Sequence, residues 1–142
     1  MPRLRFSQTI DRPVGDVFSA IVDLTSHPRW DPTTKGVRKL TDGEIGEGTR
    51  FEIKFSGFGK QELELTEYEQ NRTVRFVPRS AMMTGGHRFT VTAVGDGTRL
   101  DHDMTMALVG PWKLLSPLMG YMGKRQVRQS AAALKRHLES QS

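Results

Sequence analysis

The sequence predicts an α+β domain: an antiparallel sheet covered on one face by a long C-terminal helix. Three observations predict it. Seven short segments alternate apolar and polar residues, the period of a half-buried strand. Short turns rich in Gly and Asp join most of them, the connection that neighbouring antiparallel strands use. After Leu108 the pattern lengthens to helical spacing and holds it almost to the C-terminus.

"LRFSQTI" puts Leu4, Phe6 and Ile10 on one face with Gln8 as the polar exception. "DRPVGDVFSAIVDL" opens a helix, with Asp11 as the expected N-cap and Pro13 in its first turn. Val14, Val17, Phe18, Ile21 and Leu24 keep helical spacing. In "HPRWDP" two prolines bracket Trp30, so neither a long helix nor a central strand can pass through it. "GVRKL" is a strand and "TDGEIGEG" a turn. "TRFEIKF" turns Phe51, Ile53 and Phe55 inward, and Arg50, Glu52 and Lys54 outward. Leu63 and Leu65, then Val74 and Phe76, continue the inner face. "HRFTVTAV" adds His87, Phe89, Val91 and Ala93, "GDG" closes a hairpin, and "RLDHDMTMAL" adds Leu100, His102, Met104, Met106 and Leu108.

The final helix is expected from at least Pro117, with Ser116 as a candidate cap. At about 100° per residue, Met119, Gly120, Gly123, Val127, Ser130, Ala131, Leu134 and Leu138 form one arc. Lys124, Arg125, Arg128, Lys135 and Arg136 form the other. Leu134 and Leu138 fill space, whereas Gly120, Gly123, Ser130 and Ala131 do not. Small residues over a sheet allow either close contact or a cavity. Met82, Met83, Met104, Met106, Met119 and Met122 add flexible apolar surface, which favours an adaptable pocket.

A chain of 142 residues suits one domain, 1–142. It has no cysteine, which excludes disulfides, thiolate nucleophiles and Cys-ligated metal. The N-terminus has no apolar signal-peptide core, and no apolar run approaches membrane-spanning length, so a cytoplasmic location is expected. The Gly-rich turns lack a Walker lysine and open no helix, so they are not phosphate loops. No cofactor and no metal is expected. The net charge of +5 is spread over strands and one helix side. No basic–aromatic platform is visible, which argues against specific nucleic-acid binding, while the helix residues can make weak contact with an anionic surface.

Two histidines carry the candidate chemistry. His102 lies between Leu100 and Met104 on the inner face, where it serves as a hydrogen-bonded core residue, a pocket donor or a general acid/base. His87 is inward on the neighbouring strand. Strand geometry puts the two about 8–14 Å apart, contacting opposite ends of one ligand and not sharing a metal. Asp101 and Asp103 point outward and so do not pair with His102. Glu67 is expected in solvent, and Tyr68 as a packing residue at the sheet edge.

The stretches "RPVGDVFSAIVDLTSHPRWDP", "GEGTRFEIKF", "ELTEYEQNRTVRF", "GDGTRL" and "ALKRHLES" resemble the START-like (SRPBCC) superfamily, and within it the polyketide cyclase/dehydrase and lipid-transport family. The resemblance covers almost the whole chain. It implies a helix-grip fold: a curved antiparallel sheet wrapped around a long C-terminal helix, with two short helices after the first strand. It places Trp30 in the second short helix, either closing one end of the grip or touching a ligand. It implies a small, mainly apolar ligand, lipid or polyketide-like, held by a carrier or sensor. An aromatic polyketide cyclase using His102 or His87 is the alternative, and a toxin-like or co-chaperone interaction module is a third. The ligand-contact set comprises Trp30, Phe51, Phe76, His87, Phe89, Val91, His102, Met104, Met106, Met119 and Gly123. Whether the chain is an enzyme, and its oligomeric state, stay open.

Overall fold

The alternating segments become seven strands in a computed structural model that describes residues 3–55, 59–79, 83–108 and 110–140. They are β1 (Arg3–Ile10), β2 (Thr34–Lys39), β3 (Arg50–Phe55), β4 (Gly59–Glu69), β5 (Thr73–Pro78), β6 (Met83–Val94) and β7 (Gly97–Leu108). All pair antiparallel in one curved sheet of order β1-β7-β6-β5-β4-β3-β2. Helix α1 (Val14–Val22) and a 3₁₀ helix (Leu24–Arg29) separate β1 from β2. A second 3₁₀ helix (Gly110–Leu115) leads into α2 (Ser116–Glu139).

Alternation places the core as expected. Ile10, Phe51, Ile53, Leu63, Leu65, Val74, Phe76, Val91 and Leu100 are buried on the inner face. Val17, Phe18 and Ile21 of α1, and Leu134 and Leu138 of α2, complete the same cluster. Tyr68 packs edge-on against Phe18, with ring centroids 5.5 Å apart. Glu67 is exposed, lifted out of the alternation by an irregularity between Thr66 and Glu69. The side chains of Phe55, Met83, Met106, Leu108, Leu118, Met119, Gly120, Met122 and Gly123, and the whole of Met82, lie outside the described residues.

The Gly-Asp-Gly hairpin shows why both glycines are needed. Val94 pairs with Gly97 across a two-residue turn in which Gly95 takes φ 60°. A Cβ on Gly97 would lie 2.9 Å from the Ile10 carbonyl oxygen. Asp11 does not cap α1, contrary to expectation. Pro13 occupies the cap position in extended conformation, so Asp11 stands two residues too early, and its N–H donates to Glu139 Oε2 at 3.0 Å. That bond instead ties the end of β1 to the end of α2.

A buried carboxylate does the main docking. Asp31, in the "WDP" turn, is 5% exposed. Its Oδ1 accepts from the Thr33 N–H at 2.9 Å and the Thr33 hydroxyl at 2.7 Å. Its Oδ2 accepts from Ser130 Oγ of α2 at 2.8 Å and Thr34 Oγ1 at 3.3 Å. Both oxygens are thus satisfied, which is what makes a buried charge tolerable. Gln8 adds a second tie, donating to the Ala131 carbonyl at 3.0 Å. The arc of small residues therefore includes Ser130 for a polar reason that spacing does not reveal.

Asp31→Ala strands the Ser130 and Thr33 donors and is expected to lower stability by about 3 kcal/mol. Ser130→Ala is expected to cost about 1 kcal/mol. In urea denaturation the double variant should lose less than the two single losses together. Strict additivity would show that the two residues do not act through one bond.

Candidate functional site

The register of β1, β7, β6 and β5 lays inner-face side chains in rows. One row runs Phe6, His102, Phe89, Val74, and the next runs Leu4, Met104, His87, Phe76. Toward the β6–β7 hairpin the face is sealed: Ile10 is 0%, Leu100 2% and Val91 4% exposed. Away from it, Leu4, Phe6, His87, Phe89 and Met104 all stay partly accessible. The inner face is thus dry at one end and open at the other.

His87 and His102 meet at the boundary. His87 Nδ1 lies 3.0 Å from His102 Nε2. Their centroids are 5.2 Å apart and their planes differ by 22°, so the rings meet edge to edge in a hydrogen bond. The expected separation of about 8–14 Å is therefore corrected. It counted backbone spacing, whereas diagonal neighbours on one pleated face can lean their side chains together. Phe89, directly opposite His102, stacks on its face at 4.1 Å and 14°. Phe76 meets Phe89 edge-on at 5.5 Å.

Burial keeps both rings neutral. Loss of hydration lowers the His87 pKa to about 4. Loss of hydration, and then the neighbouring His87, lower His102 to about 3, against a small opposing pull from Asp103. Two neutral imidazoles carry two N–H groups between four nitrogens, and their mutual bond consumes one donor and one acceptor. The pair is left with one N–H and one bare nitrogen at its outer ends. If His87 Nδ1 donates, the bare nitrogen is His87 Nε2 and the donor is His102 Nδ1–H. If His102 Nε2 donates, the two roles exchange.

The remaining expected residues divide. Phe51, Phe76 and Val91 lie in the packed core, while Phe89 and Met104 border the open end. The side chains of Met106, Met119 and Gly123 lie outside the described residues. Trp30 closes the first 3₁₀ helix, tilted on His27 at 4.6 Å and stacked on His137 of α2 at 6.1 Å. Its buried indole Nε1 has no hydrogen-bond partner among the described residues. His27 Nε2 donates to the Ala20 and Ile21 carbonyls at 3.0 and 3.1 Å, which closes the end of α1. Asp101 and Asp103 point outward, toward Arg99 and Arg5 respectively. The reading of the sequence missed Asp31. Its only signal was an acid between two stiff residues, Trp30 and Pro32.

The model of the polyketide cyclase/dehydrase and lipid transport family matches residues 1–139. The chain belongs to this family. Its fold is that of the START-like superfamily, and a START superfamily protein from Mycobacterium smegmatis superposes with a TM-score of 0.83 at 17% identity, over 99% of both chains. A protein from Thermus thermophilus superposes at 0.79 and 18% identity, over 99% of each chain. The di-domain ARO/CYC BexL from the BE-7585A biosynthetic pathway superposes at 0.77 and 17% identity, over 98% of this chain and 47% of that one. A search of curated proteins finds no match. Family and fold together make the chain a START-like ligand-binding domain. Among the described residues, no helix is long and apolar enough to cross a membrane.

In this START-like chain the imidazole pair ties stability to pH. Both folded-state pKa values lie below the ordinary 6.5, so the unfolded chain binds more protons in between. Their contribution is complete above pH 6.5 and is lost as pH falls toward 4. Between pH 6.5 and 5, urea stability should fall by up to about 1.4 kcal/mol per pH unit for each histidine. His87→Phe with His102→Phe should flatten that slope, leaving the share of His27, whose pKa burial also lowers. An unchanged slope would assign the acid sensitivity to other groups.

Proposed function

We propose that this family member binds a small, mainly apolar ligand between the open end of the sheet's inner face and α2, as a carrier or sensor. The His87–His102 pair is the ligand's polar contact. The observation that supports this is the pair itself: two neutral imidazoles bonded to each other on a face of Phe6, Phe76, Phe89 and Met104. Core histidines usually spend their nitrogens on backbone groups, as His27 does. Among the described residues this pair keeps a donor and an acceptor at the edge of accessible apolar surface. Neutral rings gain little from a carboxylate, so they suit a hydroxyl, enol or carbonyl group.

The same chemistry supports a second reading as an enzyme of the cyclase type. A neutral imidazole is unprotonated at pH 7, and exchange of tautomers lets the pair take a proton at one end and release it at the other, although the lowered pKa values make each ring a weaker base than an ordinary histidine. A polyketide-like substrate with acidic C–H groups beside ketones is the chemistry such a base serves.

Native mass spectrometry of the purified chain should show a co-purified small molecule that organic extraction removes. A purely apolar fluorescent probe and its hydroxylated analogue can then be titrated against wild type and His102→Phe. The hydroxylated probe should lose about five- to tenfold in affinity, one hydrogen bond's worth, and the apolar probe little. Equal affinities of both probes for both proteins would take the pair out of the site. If the chain is an enzyme, His102→Gln should lose turnover while keeping affinity.

A further inference from the structure

Charge is distributed unevenly along this chain. Residues 104–138 hold six of the 21 Lys and Arg and none of the 16 Asp and Glu. That stretch carries +6, and the rest of the chain, with 15 basic and 16 acidic residues, carries −1. The structure sharpens the contrast. On the outer face of the sheet several arginines are matched, Arg38 with Glu52, Arg79 with Glu62 and Glu64, Arg88 with Glu67 and Arg5 with Asp103, although the exposed Lys54 and Lys60 have no carboxylate partner among the described residues. On α2, Lys124, Arg125 and Arg128 are exposed, and none has a carboxylate partner among the described residues.

Exposed apolar groups precede and flank them along the chain. Leu114 is 88% and Tyr121 67% exposed, two of the three large apolar side chains left in solvent among the described residues. Pro117, Tyr121, Lys124 and Arg128 follow one another at helical spacing, within an arc of about 60°. All four are exposed, on the flank of the helix about 90° around from the side that buries Val127, Leu134 and Leu138. The order along the stripe, apolar first and then basic, is that of a surface whose tip enters an acyl layer while its shoulder meets headgroups.

We propose that the turn around Leu114 and the outward face of the first half of α2 form a docking surface for an anionic lipid bilayer. Leu114 and Tyr121 insert at the interface, and Lys124, Arg125 and Arg128 contact lipid phosphates. A nucleic acid would use the charges but not a bare leucine, which stacks on no base. An acidic protein would ordinarily meet the apolar pair with a matching pocket, whereas a bilayer needs none. The proposal does not rest on the internal ligand, because empty vesicles test it.

The experiment is flotation of the full chain with phosphatidylcholine vesicles, with and without phosphatidylglycerol, at low and physiological salt. Binding is expected only to the anionic vesicles and should weaken as salt rises. Lys124→Glu with Arg125→Glu should weaken it at least about 25-fold, at about fivefold per basic contact removed. Leu114→Ser with Tyr121→Ser, which keeps every charge, should weaken it about tenfold. Lys35→Glu with Lys54→Glu makes the same change of net charge on exposed strand positions and should have little effect. Circular dichroism melts establish that each variant is folded. The proposal is overturned if anionic vesicles do not bind, if the strand control weakens binding as much as the helix pair, or if the Leu114 and Tyr121 change has no effect. Tight binding of single-stranded RNA without vesicle binding would assign the surface to nucleic acid instead.

Discussion

Everything on the inner face of the sheet depends on where α2 lies, and the hydrogen bond from Ser130 to the buried Asp31 carboxylate holds it there. A sheet with one apolar face needs a cover, and among the described residues α2 is the long helix that supplies it beside the shorter α1. Leu134 and Leu138 give that helix adhesion but little direction, since apolar contact is tolerant of sliding. The Asp31 bonds, the Gln8 bond to Ala131 and the Glu139 bond to the end of β1 are directional. All act on the C-terminal half of the helix. That half is therefore tied to β1 and to the turn after Trp30.

This division sets what the two ends of the inner face can do. Beneath the tied half, apolar side chains close into a core with almost no access to solvent. Farther along the strands, Phe6, Phe89 and Met104 keep part of their surface accessible. The histidine pair stands between the two regimes. It is dry enough to stay neutral, and it borders accessible apolar surface. A charged pair in the same place would cost far more to bury and would need carboxylate partners, which the outward aspartates do not supply. Mutual hydrogen bonding is the inexpensive way to keep two imidazoles on an apolar face.

The outer surface follows a different rule. Individually, exposed ion pairs of the kind seen on the outer face of the sheet stabilise little. They pair off many of that face's arginines, while Lys124, Arg125 and Arg128 of α2 have no carboxylate partner among the described residues.

Much of this was legible in the sequence, because the information is local. Period-two alternation dictates which residues of β3, β5 and β7 face inward, and Phe51, Val74 and Leu100 obey it. Gly95 and Gly97 mark their hairpin by backbone need alone. The change of period after Leu108 marks α2, and its basic side is visible from spacing. Tertiary structure decided what depends on side chains meeting across elements. No local pattern says that Asp31 is buried, since its partner Ser130 lies 99 residues away. Nor does alternation say that His87 and His102 touch. It assigns both to one face, but whether diagonal neighbours lean together or apart depends on Phe76, Phe89 and the register that packs them. Backbone periodicity is written residue by residue, whereas the pairing of polar groups in a core is a property of the packed whole.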